Sequence, residues 1–540
     1  MTHADMLLAA ALALPTAMLS ACVFRRARAR MPALLGLGPL PALVAALIVP
    51  DGTSLVLPQL LLGLTLTLDK VGAMLLGTAS LLWFAAGIYL RADLRAIAGA
   101  GAFVVWWLLT LIGSLGVFLA ADMVGFYLFF TLVSLPAYGL IVHDATARAR
   151  HAGSVYVALA LVGEALLLVG FVLLAAAMPH SGVLIRDAVA TLSTSPWRDP
   201  AFAFLSLGFA LKIGLVPLHV WMPLAYSAAP IAAACVLSGA AVKAGAIGLL
   251  RFLPFESALP GWGAALATAG MLSAFYGAAV GTMQSHPKTV LAYSSVSQMG
   301  VLAAALGMGL ATHNQHTQIA AAYYAMHHML VKGALFLAVG VAAASMPRRW
   351  LLWLPAAVLA LALAGLPLTG GALAKSAIKP LFGNDIGAWL ADLSAMASAL
   401  LMFHFLRCLR LSGPQHRETS MERERSLAWL MLALASVLVP YALFTSLDIA
   451  SWQNELAAKA IWNGLWPILA GGLLAIVQGD RLPRMPQCDV RGANQAALRI
   501  SRRVGDAATS IDQYLSQWPA AGMMFVGLLL ALAGALLLGR

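Results

Sequence analysis

Three ionisable side chains interrupt the apolar run YYAMHHMLVKGALF: His327, His328 and Lys332. Tyr324, His328 and Lys332 recur at i, i+4 and i+8 and so share one helix face, while His327 points about 100° away. Others stand alone in similar runs: Glu164 in ALVGEALLLVGF, Lys212 in GFALKIGLVPLHVW, Lys243 in SGAAVKAGAIGLL, and Lys375 after AGLPLTGGALAK. Ionisable groups in a hydrocarbon setting are costly, which makes each a functional candidate by default. Lysine suits proton relay, because burial favours the neutral amine and a neighbouring carboxylate favours the ammonium. For Tyr324, His219 and His327 a packing role weighs about as much as a relay role. Lys70, near a span end, reads as a snorkelling side chain.

The elements that must position these groups are helices crossing a bilayer. Of the 540 residues, 61% are hydrophobic and 10% charged, where a soluble chain carries about 25% charged residues. Apolar stretches of about 18 residues or more recur throughout, each long enough to span. The expected fold is an all-α polytopic membrane protein of about sixteen transmembrane helices. The first stretch lacks a basic region before it and is followed by Arg25, Arg26, Arg28 and Arg30, so it reads as a retained helix. Glu164 falls about nine residues into its span, near the midplane.

Two spans, near 201–226 and 350–382, contain helix breakers: Pro217 with Pro223, and Pro367 with Gly370 and Gly371. Non-helical backbone at membrane depth is tolerated where protein or a wet cavity surrounds it. Interrupted spans five apart, each beside a lysine, point to two inverted five-helix repeats. The expected organisation is three spans in 1–97, a first repeat in 98–252 and a second in 262–411. Two spans follow in 412–479, then an amphipathic surface helix and a final span in 480–540. Within that last segment Ile500, Val504, Ala508, Ile511 and Leu515 recur at helical spacing, interleaved with arginines.

The net charge of +12 is distributed by loop and gives no sign of a nucleic-acid partner. With the N-terminus outside, about 22 of the 33 Lys and Arg fall on inner loops and about six on outer ones, as the positive-inside rule requires. Both termini are then outside a bacterial-type inner membrane. The four cysteines are scattered singly, so no iron–sulfur or zinc site is expected. No phosphate-cradling glycine motif lies between a strand and a helix. Metals, cofactors and redox chemistry are therefore not expected within the chain.

The stretches GFALKIGLVPLHVWMPLAYSAAP, SGAAVKAGAIGLLR, QSHPKTVLAYSSVSQMG, HHMLVKGALFLAVG and LAGLPLTGGALAK resemble the antiporter-like membrane subunits of respiratory complex I (NADH:quinone oxidoreductase). Relatives of these subunits occur in Mrp antiporters, membrane-bound hydrogenases and some inorganic-carbon uptake systems. The resemblance covers roughly residues 55–411 and implies fourteen core helices with a central hydrophilic axis that passes protons. By position, Lys212, Lys243 and Lys332 match the lysines of the seventh, eighth and eleventh core spans. His328 matches the histidine one turn before Lys332, Lys375 the twelfth-span residue near the outer exit, and Asp122 an acid before the fifth span.

Departures from the family pattern stand beside these matches. Thr131 occupies the place of the fifth-span glutamate that pairs with the seventh-span lysine. Leu224 and Ser376 occupy the places of two further acids, and Gln298 that of a histidine. Glu164, outside the pattern, is expected to supply the missing carboxylate to Lys212 from a neighbouring helix.

The expected function is proton translocation through Glu164, Lys212, Lys243, His328, Lys332 and Lys375, with Asp122, Thr131, His219, Tyr324 and His327 as accessories. The partners are other membrane subunits, protons or sodium, and the lipid bilayer. The alternatives are a subunit of an Mrp-type cation/proton antiporter, a subunit of an inorganic-carbon uptake complex, and an inert membrane scaffold.

Overall fold

The computed structural model describes residues 2–60, 63–94, 100–178, 184–192, 195–343, 350–412, 422–446 and 455–478. The expected surface helix and the expected last span near 520–538 lie outside the described residues.

The chain is a polytopic helical membrane protein. Helices α1 (His3–Ala21), α2 (Arg25–Arg30) and α3 (Leu40–Ile48) lead into an antiparallel hairpin of β1 (Thr53–Leu57) and β2 (Leu64–Leu68). There follow α4 (Lys70–Leu94), α5 (Ala100–Leu119), α6 (Met123–Ser134), α7 (Ala137–Ile141), α8 (Ala147–Ala176) and α9 (Ile185–Leu192). Next come α10 (Arg198–Ile213), α11 (Trp221–Ala228), α12 (Ile231–Val236) and α13 (Lys243–Phe252), the last two joined by a π-helical turn, Leu237–Ala241. The second half holds α14 (Pro260–Thr282), α15 (Pro287–Thr312), α16 (Thr317–Ala343), α17 (Trp350–Ala364) and α18 (Gly370–Ile378). Helices α19 (Ile386–Leu411), α20 (Glu422–Ser446) and α21 (Ala458–Gln478) complete the described chain.

Among the described residues, 12 helices or continuous helical runs are long and apolar enough to cross a membrane, or 13 if the pair Arg25–Ala33 and Leu35–Ile48, bent by 71°, is one span. The spans expected at 201–226 and 350–382 are each two shorter helices. Gly214, at φ 73°, ends α10 in the left-handed conformation that suits glycine. The freed backbone of this break is satisfied from neighbouring groups. The amide of Val216 donates to Ser273 Oγ on α14 at 2.9 Å, and the indole of Trp221 donates to the Leu211 carbonyl at 2.9 Å. Pro223 is not part of the break. It sits in the first turn of α11, where a missing amide costs little. The second break runs from Gly365, at φ 103°, to Thr369 and contains Pro367.

The hairpin is absent from the sequence reading, because its strands TSLVL and LTLTL are only five residues each and sit among leucines. It is tied to α6 by Asp122, whose carboxylate accepts from the amides of Gly125 at 2.6 Å and Thr65 at 2.8 Å. Asp122 is thus the N-cap of α6 and a clamp on β2.

The centre of the bundle is the α12–α13 run with α15 and α16, which are almost wholly buried, whereas α1, α8, α19 and α21 expose broad apolar faces. Helices α14 and α15 pack backbone to backbone through Gly263, Gly270, Gly277, Gly300 and Gly307. A Cβ at Gly270 would stand 2.5 Å from both the Ala304 amide nitrogen and the Gly300 carbonyl oxygen, so only glycine admits this approach.

Candidate functional site: a buried row of ionisable groups

The first part of the row lies between α6, α8 and α10. Glu164 and Lys212 are 5% and 7% exposed. Thr131 donates to Glu164 Oε2 at 2.7 Å, and Lys212 Nζ donates to Ser134 Oγ at 2.7 Å. The Lys212 ammonium also lies 5.3 Å from the centre of the Phe130 ring. Among the described residues no ion pair joins Glu164 to Lys212; the carboxylate expected to serve Lys212 lies on the neighbouring helix α8, and two hydroxyls one turn apart on α6 bind the two groups. The physical reason is that Thr131 and Ser134 project from α6 toward both charges, giving each a hydrogen bond and separating them. The charges remain within electrostatic reach of one another. Oε1 of Glu164 is buried with no hydrogen-bond partner among the described residues.

The next part is set by the π-helical turn. Such a turn inserts a residue into an α-helix and re-aims the side chains beyond it, and it is enriched at functional sites. Lys243, the first residue of α13, is fully buried, and its Nζ lies 2.6 Å from Nδ1 of His328 on α16. At that separation one nitrogen donates to the other, because a doubly protonated pair would set donor against donor. Lys332, also fully buried, donates from Nζ to the Leu291 carbonyl at 2.6 Å and to the hydroxyl of Ser294, both on α15. Alongside, Ser238 in the π turn and Ser295 on α15 have hydroxyls 3.2 Å apart. Gly245 brings α13 onto the stem of Lys212: a Cβ there would stand 2.9 Å from Lys212 Cβ. This packing joins the first two parts of the row.

About two turns before Lys332 on the same face of α16, Tyr324 donates to Oε1 of Gln298, whose amide donates to Ser398 Oγ on α19 at 2.9 Å. His327 turns to a different neighbour from His328. Cβ atoms built on Gly370 and Gly371 would lie 3.1 Å from its ring, so it faces the start of α18 at the second break. Lys375, on α18, donates to the Ala364 carbonyl. Ser376 donates to Oε1 of Glu455, just before α21, and Lys379 pairs with Asp392 at 3.0 Å.

The structure therefore brings Glu164, Thr131 and Lys212 together, and Lys243 with His328. Lys332 lies one turn along α16, and Tyr324, His327 and Lys375 fall toward the second break. Asp122 is occupied as a cap. His219 lies in the first break, with its ring centre 4.8 Å from that of Tyr276, and Nδ1 has no partner among the described residues. The sequence reading missed Ser134, Ser294, Ser398 and Glu455. Ser294 and Gln298 are four apart in YSSVSQ, a spacing that could have placed them on one face. Nothing local marks Glu455.

Fold and site together define a polytopic helical membrane protein with a buried row of ionisable groups. Residues 120–381 match the family model described as NADH:quinone oxidoreductase/Mrp antiporter, TM. Over those residues the chain is similar to the antiporter-like membrane subunits of this family.

It is 30% identical to hydrogenase-4 component B of Escherichia coli (strain K12), over 51% of this chain and 43% of that one. It is 29% identical to NADH-quinone oxidoreductase subunit N of Ectopseudomonas mendocina (strain ymp), over 56% of this chain and 64% of that one. It is also 30% identical to NADH-quinone oxidoreductase subunit M of E. coli (strain K12), over 45% of this chain and 50% of that one. The chain thus spans about half the length of the curated relatives it matches.

In fold it is similar to a chain of the Mrp complex from Dietzia sp. DQ12-45-1b, with TM-score 0.74 and 22% identity, covering 100% of this chain and 63% of that one. It is also similar to a chain of an archaeal membrane-bound sulfane sulfur reductase, with TM-score 0.70 and 19% identity, covering 87% of this chain and 99% of that one.

Proposed function

We propose that the chain is a proton-translocating membrane subunit of a complex I-like or hydrogenase-like multisubunit complex. The observation that carries this reading is the fully buried Lys243–His328 contact at 2.6 Å. A pair of bases sharing one proton inside a membrane protein has little structural value, since apolar residues of similar volume pack at lower cost. Its value lies in passing the proton on. Lys332, Lys212 and Glu164 extend the path in one direction, and Gln298, His327 and Lys375 extend it in the other.

In this reading residues 98–252 and 262–411 are two inverted repeats whose broken helices, α10–α11 and α17–α18, flank the path. Sixteen spans cross a bacterial-type inner membrane with both termini outside. Other subunits cover the exposed faces of α1, α8, α19 and α21. On this orientation a cysteine at Ser412→Cys reacts with an impermeant maleimide from the inside and one at Leu456→Cys from the outside; the reverse pattern would overturn it.

The decisive experiment is proton flux in proteoliposomes holding the whole complex, purified through this chain. Lys243→Ala and Lys332→Ala should leave the complex assembled, because removing a buried charge lowers the cost of burial, and should abolish flux. Wild-type flux in both variants would identify an inert scaffold instead.

A further inference from the structure

Beside the second break lies a cavity of about 320 Å³ whose walls include Lys375, Ser376, Lys379, Asp392, Tyr441 and Glu455. Its charged groups divide into two sets. Lys379 and Asp392 neutralise one another at 3.0 Å. Lys375 donates to a backbone carbonyl, and Glu455 accepts from Ser376; among the described residues neither has a salt-bridge partner of its own. A basic group at the end of the buried row and a carboxylate near the surface therefore share one polar cavity, and the Ser376 hydroxyl, next to Lys375 in sequence, is hydrogen-bonded to Glu455.

The position of Ser376 adds an independent observation. The family resemblance puts an acid there, and this chain has a hydroxyl. That hydroxyl binds a carboxylate delivered by a residue 79 positions later. The same substitution occurs at the far end of the row, where Thr131 stands for an acid and binds Glu164. At both ends the acid has moved to another element and the old position keeps a hydroxyl that holds it.

We infer that Glu455 is the proton-release group of this chain, taking the proton that reaches Lys375 and passing it to water through the cavity. This rests on the proton-translocation reading above. In the step, an N–H bond of the Lys375 ammonium breaks and an O–H bond forms on Glu455, directly or through the Ser376 hydroxyl or water in the cavity. A neutral amine and a carboxylic acid result, and the acid then ionises to bulk water. Glu455 is half-buried and Leu456 beside it is 57% exposed, so the carboxylate stands where both the cavity and the surface can be reached.

The test is proton flux in proteoliposomes of the whole complex, with assembly checked for each variant. Glu455→Gln, nearly isosteric, should lower flux at least about tenfold. Glu455→Asp should keep most of it. Glu455→Gln combined with Ser376→Glu, which returns the acid to α18, should recover much of the loss, which a merely structural role for Glu455 would not allow. Independently of transport, Ser376→Cys with Glu455→Cys should form a disulfide on mild oxidation. Wild-type flux in Glu455→Gln, an unrescued double variant or failure of the cysteine pair to cross-link would overturn the assignment. Lys375→Met separates the two ideas. If it stops flux while Glu455→Gln does not, Glu455 alone is wrongly assigned; if Lys375→Met, Lys243→Ala and Lys332→Ala all transport normally, the proton path itself is refuted.

Discussion

Thr131 on α6 donates its hydroxyl to Oε2 of Glu164 on α8 at 2.7 Å, and Ser134, one turn further along α6, receives the ammonium of Lys212 at 2.7 Å. Carboxylate and ammonium are thus held by one helix without touching. Such an arrangement keeps both groups hydrogen-bonded in the membrane interior and still lets their separation be altered by a rotation at one residue. A direct buried pair would be harder to open, because breaking it leaves two uncompensated charges.

Relocation of the acid can be reversed by mutation. Glu164→Gln should lower proton flux about tenfold, a loss that corresponds to about 1.4 kcal/mol. Adding Thr131→Glu to that background should restore part of it. Thr131→Glu alone should be worse than the double variant, since it places a second carboxylate within contact distance of Glu164. Equal activity of the two Thr131→Glu proteins would show that positions 131 and 164 do not serve the same lysine.

The two adjacent histidines should separate by function. His328→Gln leaves a polar side chain for Lys243 but cannot take a proton near neutral pH, so flux should fall about a hundredfold with assembly intact. His327→Gln touches the glycines at the second break and not Lys243, so its effect should be smaller. Normal flux in His328→Gln would remove the Lys243–His328 pair from the path.

Outside the spans, His286 caps α15, its Nδ1 accepting from the Lys288 amide at 3.3 Å. Burial, and then the nearby Lys288 and Arg148 charges, push its pKa down from 6.5 to about 4. The unfolded chain then binds a proton between pH 6.5 and 4 that the folded chain does not, so stability contributed by neutral His286 is full above about pH 6.5 and declines toward pH 4. Hydrogen-exchange protection at the start of α15, corrected for the intrinsic pH dependence of exchange, should therefore fall between pH 7 and 5. His286→Asn, which keeps a capping side chain, should abolish that loss of protection; an unchanged acid response in this variant would place its origin elsewhere.

Much of this architecture was legible in the sequence because bilayer physics is severe. Lys212, Lys243, Lys332 and Glu164 could be singled out because nothing else excuses a charge in the middle of an apolar run, and the breaks at Pro217 and Pro367 because a bilayer tolerates few of them. The contacts were less legible. Periodicity put His328 and Lys332 on one face of α16, and it could not say that His328 meets Lys243, since that depends on the π turn before α13. That Glu164 serves Lys212 was expected from depth, and depth does not reveal that two hydroxyls of α6 bind the two groups. The hairpin and the role of Asp122 as its clamp were hidden because two five-residue strands set among leucines look like one more piece of hydrophobic chain. Glu455 was hidden for a different reason: its partner lies 79 residues away.

The glycine seam between α14 and α15 bears on how the protein moves. Where backbones meet with no side chains between them, one helix cannot slide or roll against the other without collision, so the pair behaves as a stator. Ser273, on this stator, receives the amide of Val216 in the first break, and Leu291 and Ser294, also on it, receive Lys332. Both are therefore docking points on a fixed part. Any working stroke must be made by the groups that dock there, the loose backbone of the broken helix and the long swinging arm of a lysine, while the frame that registers their positions stays still.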